Sequence, residues 1–195
     1  MTLGDIIARR RKCAFTTRSE ILCAARQRFL AESYENVGLR DIAGDVGVDV
    51  ALVSRYFGSK DALFREVMRG ESEGPKFRPD VTAAELPAYL VSLIASKDDC
   101  SQREHVEKLL IALRSASSPA ASEIVRDAVR GDVLEPLIQI LDAPDAAERA
   151  CLAVAILFGT TVMRSVMTME PLCIADDPAL RERLTHLFEA ALSPA

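Results

Sequence analysis

The 195-residue chain is 49% hydrophobic and 27% charged, which places it in the globular range and excludes a disordered chain. Its five cysteines, Cys13, Cys23, Cys100, Cys151 and Cys173, form no C-x-x-C pair, which excludes a disulfide framework and a zinc ribbon. The net charge of −5 is unevenly divided, with 12 Lys and Arg against 9 Asp and Glu in residues 1–69 and 12 against 20 in the remainder, so a mildly basic first third precedes an acidic body and suggests a local nucleic-acid face.

Alanine, leucine, arginine and glutamate dominate, and no long polar–apolar alternation or Asn-Gly hairpin pair occurs; the composition predicts an all-α fold. The basic run Arg9-Arg10-Arg11-Lys12 is followed by no apolar stretch of signal-peptide length. The longest apolar run, Ala150 to Phe158, falls short of the roughly 20 residues a bilayer span needs. The expectation is a soluble, cytoplasmic protein. Residues 1–16 read as a basic N-terminal arm, either one that tracks phosphates and the minor groove or a solvated terminus.

The first helix is predicted to start at Thr17, where Thr17 and Glu20 form a T-x-x-E capping box, and to end near Ser33. Ile21, Ala25 and Phe29 recur along its buried face. A short helix follows over Leu39 to Val46, with Ile42, Ala43 and Val46 inward and Arg40, Asp41 and Asp45 in water. Gly47 supplies a residue able to take positive φ, and Asp49 caps a third helix over Val50 to Phe57. Gly58 stops it, and Ser59 caps a fourth helix through Leu63, Phe64, Val67 and Met68 to Gly70. Short helices joined by a glycine turn behind a longer packing helix have helix-turn-helix geometry; the same pattern also suits an ordinary helical hairpin.

Gly70 to Asp80 concentrates glycine, proline and charge and reads as a connection. Beyond it, helices are predicted at about 82–96, 102–116, 120–142, 145–169 and 178–192. Breaks fall at Asp98-Asp99, Ser117-Ser118-Pro119, Ala143-Pro144 and Asp176-Asp177-Pro178, and Pro87 and Pro136 should start or kink helices. The last two long helices carry wide apolar faces and are the candidates for a homodimer interface.

Within the third helix, Val53 and Phe57 share the inward face. Val50, Ala51, Leu52, Ser54, Arg55 and Tyr56 are left to the outer surface. That mixture suits a major groove: small residues permit close approach, an apolar group meets a thymine methyl, arginine donates twice to guanine, and hydroxyls reach phosphate. Lys60 combines a cation with the free N–H groups of a helix start.

Residues 16–69, most clearly Leu39-Arg-Asp-Ile-Ala43, Gly47-Val48 and Tyr56-Phe57-Gly-Ser-Lys60-Asp-Ala-Leu63, resemble the DNA-binding domain of the TetR family of transcriptional regulators. The resemblance implies an all-α homodimer with a helix-turn-helix domain at 17–69 and a ligand-binding and dimerisation domain at 70–195. It further implies a repressor that leaves a palindromic double-stranded operator when a small-molecule effector binds. Position by position, it puts Thr17, Arg40, Val50, Ala51, Leu52, Ser54, Arg55, Tyr56 and Lys60 at the DNA. The family usually has glycine where Ser33 stands, often Ser or Thr at Gly38 and Leu52, and often an aromatic at Ser54 or Arg55. Leu110 to Pro119 and Phe158 to Arg164 resemble one actinobacterial-type subgroup of its sensor domains.

Leu109, Leu113, Phe158, Met163, Arg164 and Met167 are the candidate ligand-pocket residues. A charge beside so apolar a face needs a partner, so Arg164 meets either an acidic ligand or a carboxylate such as Glu170. Phe158, Met163 and Met167 suit a varied ligand and equally suit plain core. His105 and His186 stand outside any metal motif, and no catalytic, P-loop or dinucleotide signature occurs. No cofactor, metal or catalytic residue is expected. The alternatives are an effector-independent dimeric DNA-binding protein and a helical enzyme using the C-terminal pocket.

Overall fold

The computed structural model describes residues 3–70, 80–95, 100–173 and 177–194, and every regular element among them is helical. The predicted connection at 71–79, the break at Asp98-Asp99 and Asp176 lie outside the described residues, as do the side chains of Arg9 to Lys12. Two compact units are present, one of residues 1–72 with 110–126 and one of residues 73–109 with 127–195. The segment 110–126 thus groups with the N-terminal helices, across the sequence boundary expected at residue 70.

The first unit begins with α1, Leu3–Ala31. The expected start at Thr17 is corrected: Thr17 and Glu20 stand inside a continuous helix. From Asp5 to Ala31 the chain has neither glycine nor proline, so nothing stops the helix upstream of Thr17, and continued backbone hydrogen bonding outweighs the local cap. Ile21, Ala25 and Phe29 are fully buried along one face, as their spacing requires. A 3-10 turn at Tyr34–Asn36 follows, and buried Tyr34 joins Phe29 and Phe64 in an aromatic cluster with ring centroids 4.8–5.9 Å apart.

Helix α2, Leu39–Val46, ends at Gly47, whose φ of 73° lies in the left-handed region. Helix α3, Val50–Phe57, is capped by Asp49, which accepts from the Ala51 N–H at 2.7 Å. Helix α4, Lys60–Arg69, is capped by Ser59, which accepts from the Ala62 N–H at 3.1 Å. These boundaries are the predicted ones. From 110–126, Ile111, Ala112, Ala121 and Ile124 are buried, and the Ser118 hydroxyl donates to Glu35 beside the 3-10 turn.

In the second unit, α5 covers Leu86–Ala95. Helix α6, Cys100–Ser115, begins in this unit, and α7, Pro119–Val129, ends in it. A π turn at Arg130–Leu134 leads into α8, Glu135–Leu141. Pro136, at the start of α8, explains the turn: its ring cannot donate to the fourth preceding carbonyl, so the ladder widens just before it. Pro87 sits in the first turn of α5, where no donor is needed. Helix α9, Ala146–Thr161, continues through a second π turn at Val162–Val166; short α10, Glu170–Cys173, precedes α11, Pro178–Leu192, which Asp177 caps through the Ala179 N–H at 2.9 Å.

Helix α11 packs on α5 and α9, with Leu86, Leu90, Ile94, Val154, Leu157, Leu184 and Phe188 in their shared core. Arg149 near the start of α9 pairs with Asp145 at 3.0 Å and donates to the Leu192 carbonyl at the end of α11 at 2.8 Å. The stretch Ala146–Val166 is longer than the apolar run read from sequence and, by length and composition, reaches that of a membrane span. One face is core, through Ala146, Ala150, Ala153, Val154 and Leu157. The other leaves Leu152 51% exposed, and Leu187 on neighbouring α11 is 53% exposed.

Candidate DNA-binding surface

Helix α3 is two turns long and is held by two buried side chains, Val53 and Phe57. Four residues apart, they fix which side faces water. Ala51, Ser54 and Arg55 are exposed, and Val50, Leu52 and Tyr56 are half-buried. The Tyr56 ring lies edge-on to Phe57 with centroids 6.4 Å apart, which braces it against the core. The outward face therefore carries a guanidinium, a hydroxyl and small apolar groups, the chemistry for reading base edges.

The remaining predicted contacts spread over the neighbouring helices. Arg40 is exposed at the start of α2, and Thr17 is half-buried in α1. Gly38 caps α2 with no side chain of its own, and its N–H donates to Asp41 at 3.0 Å. Lys60 does not extend freely from the start of α4. Its ammonium lies 4.1 Å from the centroid of the Tyr34 ring, a cation–π contact, and burial lowers its pKa, against the opposing pull of Glu35 and Asp61. The Tyr34 hydroxyl donates to Asp61, and burial followed by that hydrogen bond raises the phenol's pKa.

Sequence reasoning missed the side chains that hold these helices together. Arg28 of α1 grips Asp45 of α2 through Nε–Oδ2 at 2.6 Å and Nη2–Oδ1 at 2.7 Å, and reaches Glu32 at 3.3 Å. The hydrogen bonds from Arg28 hold the Asp45 carboxyl below its ordinary value. Arg18 of α1 pairs with Glu66 of α4 and places its guanidinium 4.8 Å from the centroid of Phe57. The charge patterning of α1 was a usable signal, but its partners lie 17 and 48 residues away in the chain. A groove of about 700 Å³ opens along α1 and α2, lined in part by Cys23, Ala24, Gln27, Arg28 and Asp45. None of the candidate effector residues lines it.

Those residues are dispersed. Leu113 is 51% exposed and belongs to the first unit, whereas Leu109, Phe158, Met163, Arg164 and Met167 belong to the second. Leu109 is buried, Phe158 packs on the α5–α9–α11 core, and Met163 and Met167 are exposed. Arg164, in the π turn, donates to the Ile94 carbonyl in the last turn of α5, where carbonyls lack a helical partner.

Residues 21–67 match the family described as bacterial regulatory proteins, tetR family, and residues 84–192 match the tetracyclin repressor-like C-terminal domain. The HTH-type transcriptional regulator BetI of Agrobacterium fabrum is 26% identical, with 75% of each chain covered. Among solved structures, NalD, the secondary repressor of the MexAB-OprM multidrug efflux pump in Pseudomonas aeruginosa, is 18% identical over 92% of this chain and 95% of its own, with a TM-score of 0.67. Salmonella enterica GusR is 19% identical over 91% and 95%, with a TM-score of 0.63. With the match to the C-terminal domain alone spanning more than half the sequence, the chain belongs to the TetR family, and it is a DNA-binding transcriptional regulator, not an enzyme.

Proposed function

We propose that the chain is a cytoplasmic homodimeric repressor that reads a palindromic operator with α3 and is released by a small-molecule effector. The observation that carries the reading is the division of α3, with Val53 and Phe57 buried and Ser54 and Arg55 facing solvent. Thr17, Arg40, Val50, Ala51, Leu52, Tyr56 and Lys60 complete the proposed contact surface around them, within a DNA-binding domain at 17–69. Two copies related by a twofold axis would set their α3 helices in successive major grooves about 34–36 Å apart, or a multiple of that.

The exposed apolar face of α9 and α11 supports the dimer, because Leu152 and Leu187 lie half in water on adjacent helices of a well-packed core. NalD is described as a repressor, which supports repression here. An effector held in the 70–195 domain would act by favouring one spacing of the two reading heads, and it can do so only by binding the two spacings unequally. Leu109, Phe158, Met163, Arg164 and Met167 are the proposed starting points for its site, with Leu113 the outlier. The exposure of Leu113, Met163 and Met167 favours a second reading, in which the dimer binds DNA without an effector.

Selection of binding sites from random duplexes tests the first part. The expected result is an inverted repeat with half-sites one helical turn, or a multiple of one, apart; a failure to enrich any sequence would refute operator reading. A thermal-shift screen of small molecules on the same protein separates the two readings. A compound that raises the melting temperature and releases the selected duplex supports the effector, and stabilisation without release supports the second reading.

A further inference from the structure

The recognition helix is short, and two buried side chains are few to define its rotation about its own axis. Val53 anchors its middle in a fully buried position. Phe57 anchors its last turn, and the guanidinium of Arg18 lies 4.8 Å from the centroid of that ring. The same guanidinium is held by the Glu66 carboxylate on α4. One side chain of α1 therefore touches the end of α3 and a neighbour of α3 at once. Arginine suits this role because its extended planar guanidinium can lie over an aromatic face and pair with a carboxylate at the same time; the compact ammonium of lysine can make either contact but is poorly shaped to make both at once.

We propose that Arg18 is a positioning residue for DNA reading, fixing the rotation of α3 by clamping Phe57 against Glu66. The inference rests on the reading of α3 as the groove-binding helix. Rotation is the sensitive coordinate: turning a helix by about 10° moves a side-chain tip at its outer radius by roughly 1 Å. A displacement of that size is enough to spoil a paired hydrogen bond from Arg55 to a base edge. Arg18 would thus govern how well one sequence is told from another, with little part in holding the duplex itself.

The test compares wild type, Arg18→Lys and Glu66→Gln on two duplexes, the site wild type selects from random sequence and a scrambled duplex of equal length. Affinity is measured across a salt series, with the melting transition alongside. Both variants are expected to lower the ratio of selected to scrambled affinity roughly fivefold or more, the loss of one base contact, with the salt slope on scrambled DNA unchanged. Glu66→Gln is the diagnostic arm: it removes a negative charge, so a purely electrostatic role would tighten binding. An unchanged ratio in both variants would overturn the proposal. So would an equal loss on both duplexes for Arg18→Lys, which would make Arg18 a sequence-independent phosphate contact. A lost ratio explained by melting below the assay temperature would reduce Arg18 to fold support and overturn it too. If wild type selects no sequence, the DNA reading falls first and takes this inference with it, so the two failures are distinguishable.

Discussion

Arg28 and Asp45 meet as a two-bonded fork, Nε–Oδ2 at 2.6 Å and Nη2–Oδ1 at 2.7 Å, that ties the packing helix α1 to the first helix of the helix-turn-helix. The pair is exposed, so its geometry matters more than its energy. Its hydrogen bonds lower the Asp45 pKa from the ordinary 3.8. A carboxyl whose folded pKa is depressed contributes stability that is present above the unfolded value and lost as pH falls through the folded one. The melting advantage of wild type over Asp45→Asn should therefore be full at pH 7 and smaller at about pH 3, and be lost altogether only as pH falls through the lowered folded value. Melting curves at both pH values check this, and an advantage that persists unchanged in acid would assign it to packing.

Gly47 adopts φ 73° between α2 and α3. An added Cβ would meet nothing within 4 Å, so Gly47→Ala isolates the backbone cost from any steric clash. The substitution should destabilise the protein by about 1–2 kcal/mol, the left-handed penalty for a side chain. Urea unfolding measures it, and an unchanged midpoint would mean the turn relaxes to another conformation.

Leu152 and Leu187 face outward on α9 and α11 at 51% and 53% exposure. A charge at either site costs little in an isolated chain but is expensive in an apolar interface. Leu152→Glu and Leu187→Glu should each shift the protein from dimer to monomer at micromolar concentration while keeping its helical content. Sedimentation and circular dichroism together test this; a dimer that survives both changes would place the interface elsewhere.

The helix-turn-helix was legible because its boundaries are local chemistry. Gly47 and Gly58 take positive φ, and Asp49 and Ser59 accept from N–H groups two and three residues on, all within reach of a short sequence window. The start of α1 was not legible, because a capping box at Thr17 and an uninterrupted run of helix formers gave opposite answers, and the continuous helix Leu3–Ala31 prevailed. Tyr34 falls between the helices predicted to end near Ser33 and to start at Leu39, and its place in the core has no local signal, since its partners Phe29 and Phe64 become neighbours only when α1 and α4 pack. Lys60 was placed correctly at a helix start, yet its ammonium rests on Tyr34, a tertiary contact that spacing cannot reveal. Leu113, a candidate pocket residue from sequence, is 51% exposed. Periodicity says which residues share a helix face, and the packing of other helices decides which face is covered.

The outward presentation of Arg55 on α3 is the feature on which the regulatory reading depends. Titrating wild type and Arg55→Ala against the selected duplex and a scrambled one addresses it most directly. The expected result is a loss of about 1–3 kcal/mol on the selected duplex, confined to one base pair in each half-site, with scrambled binding nearly unchanged. Equal affinities of wild type and Arg55→Ala for the selected duplex would contradict the assignment of α3 as the reading helix.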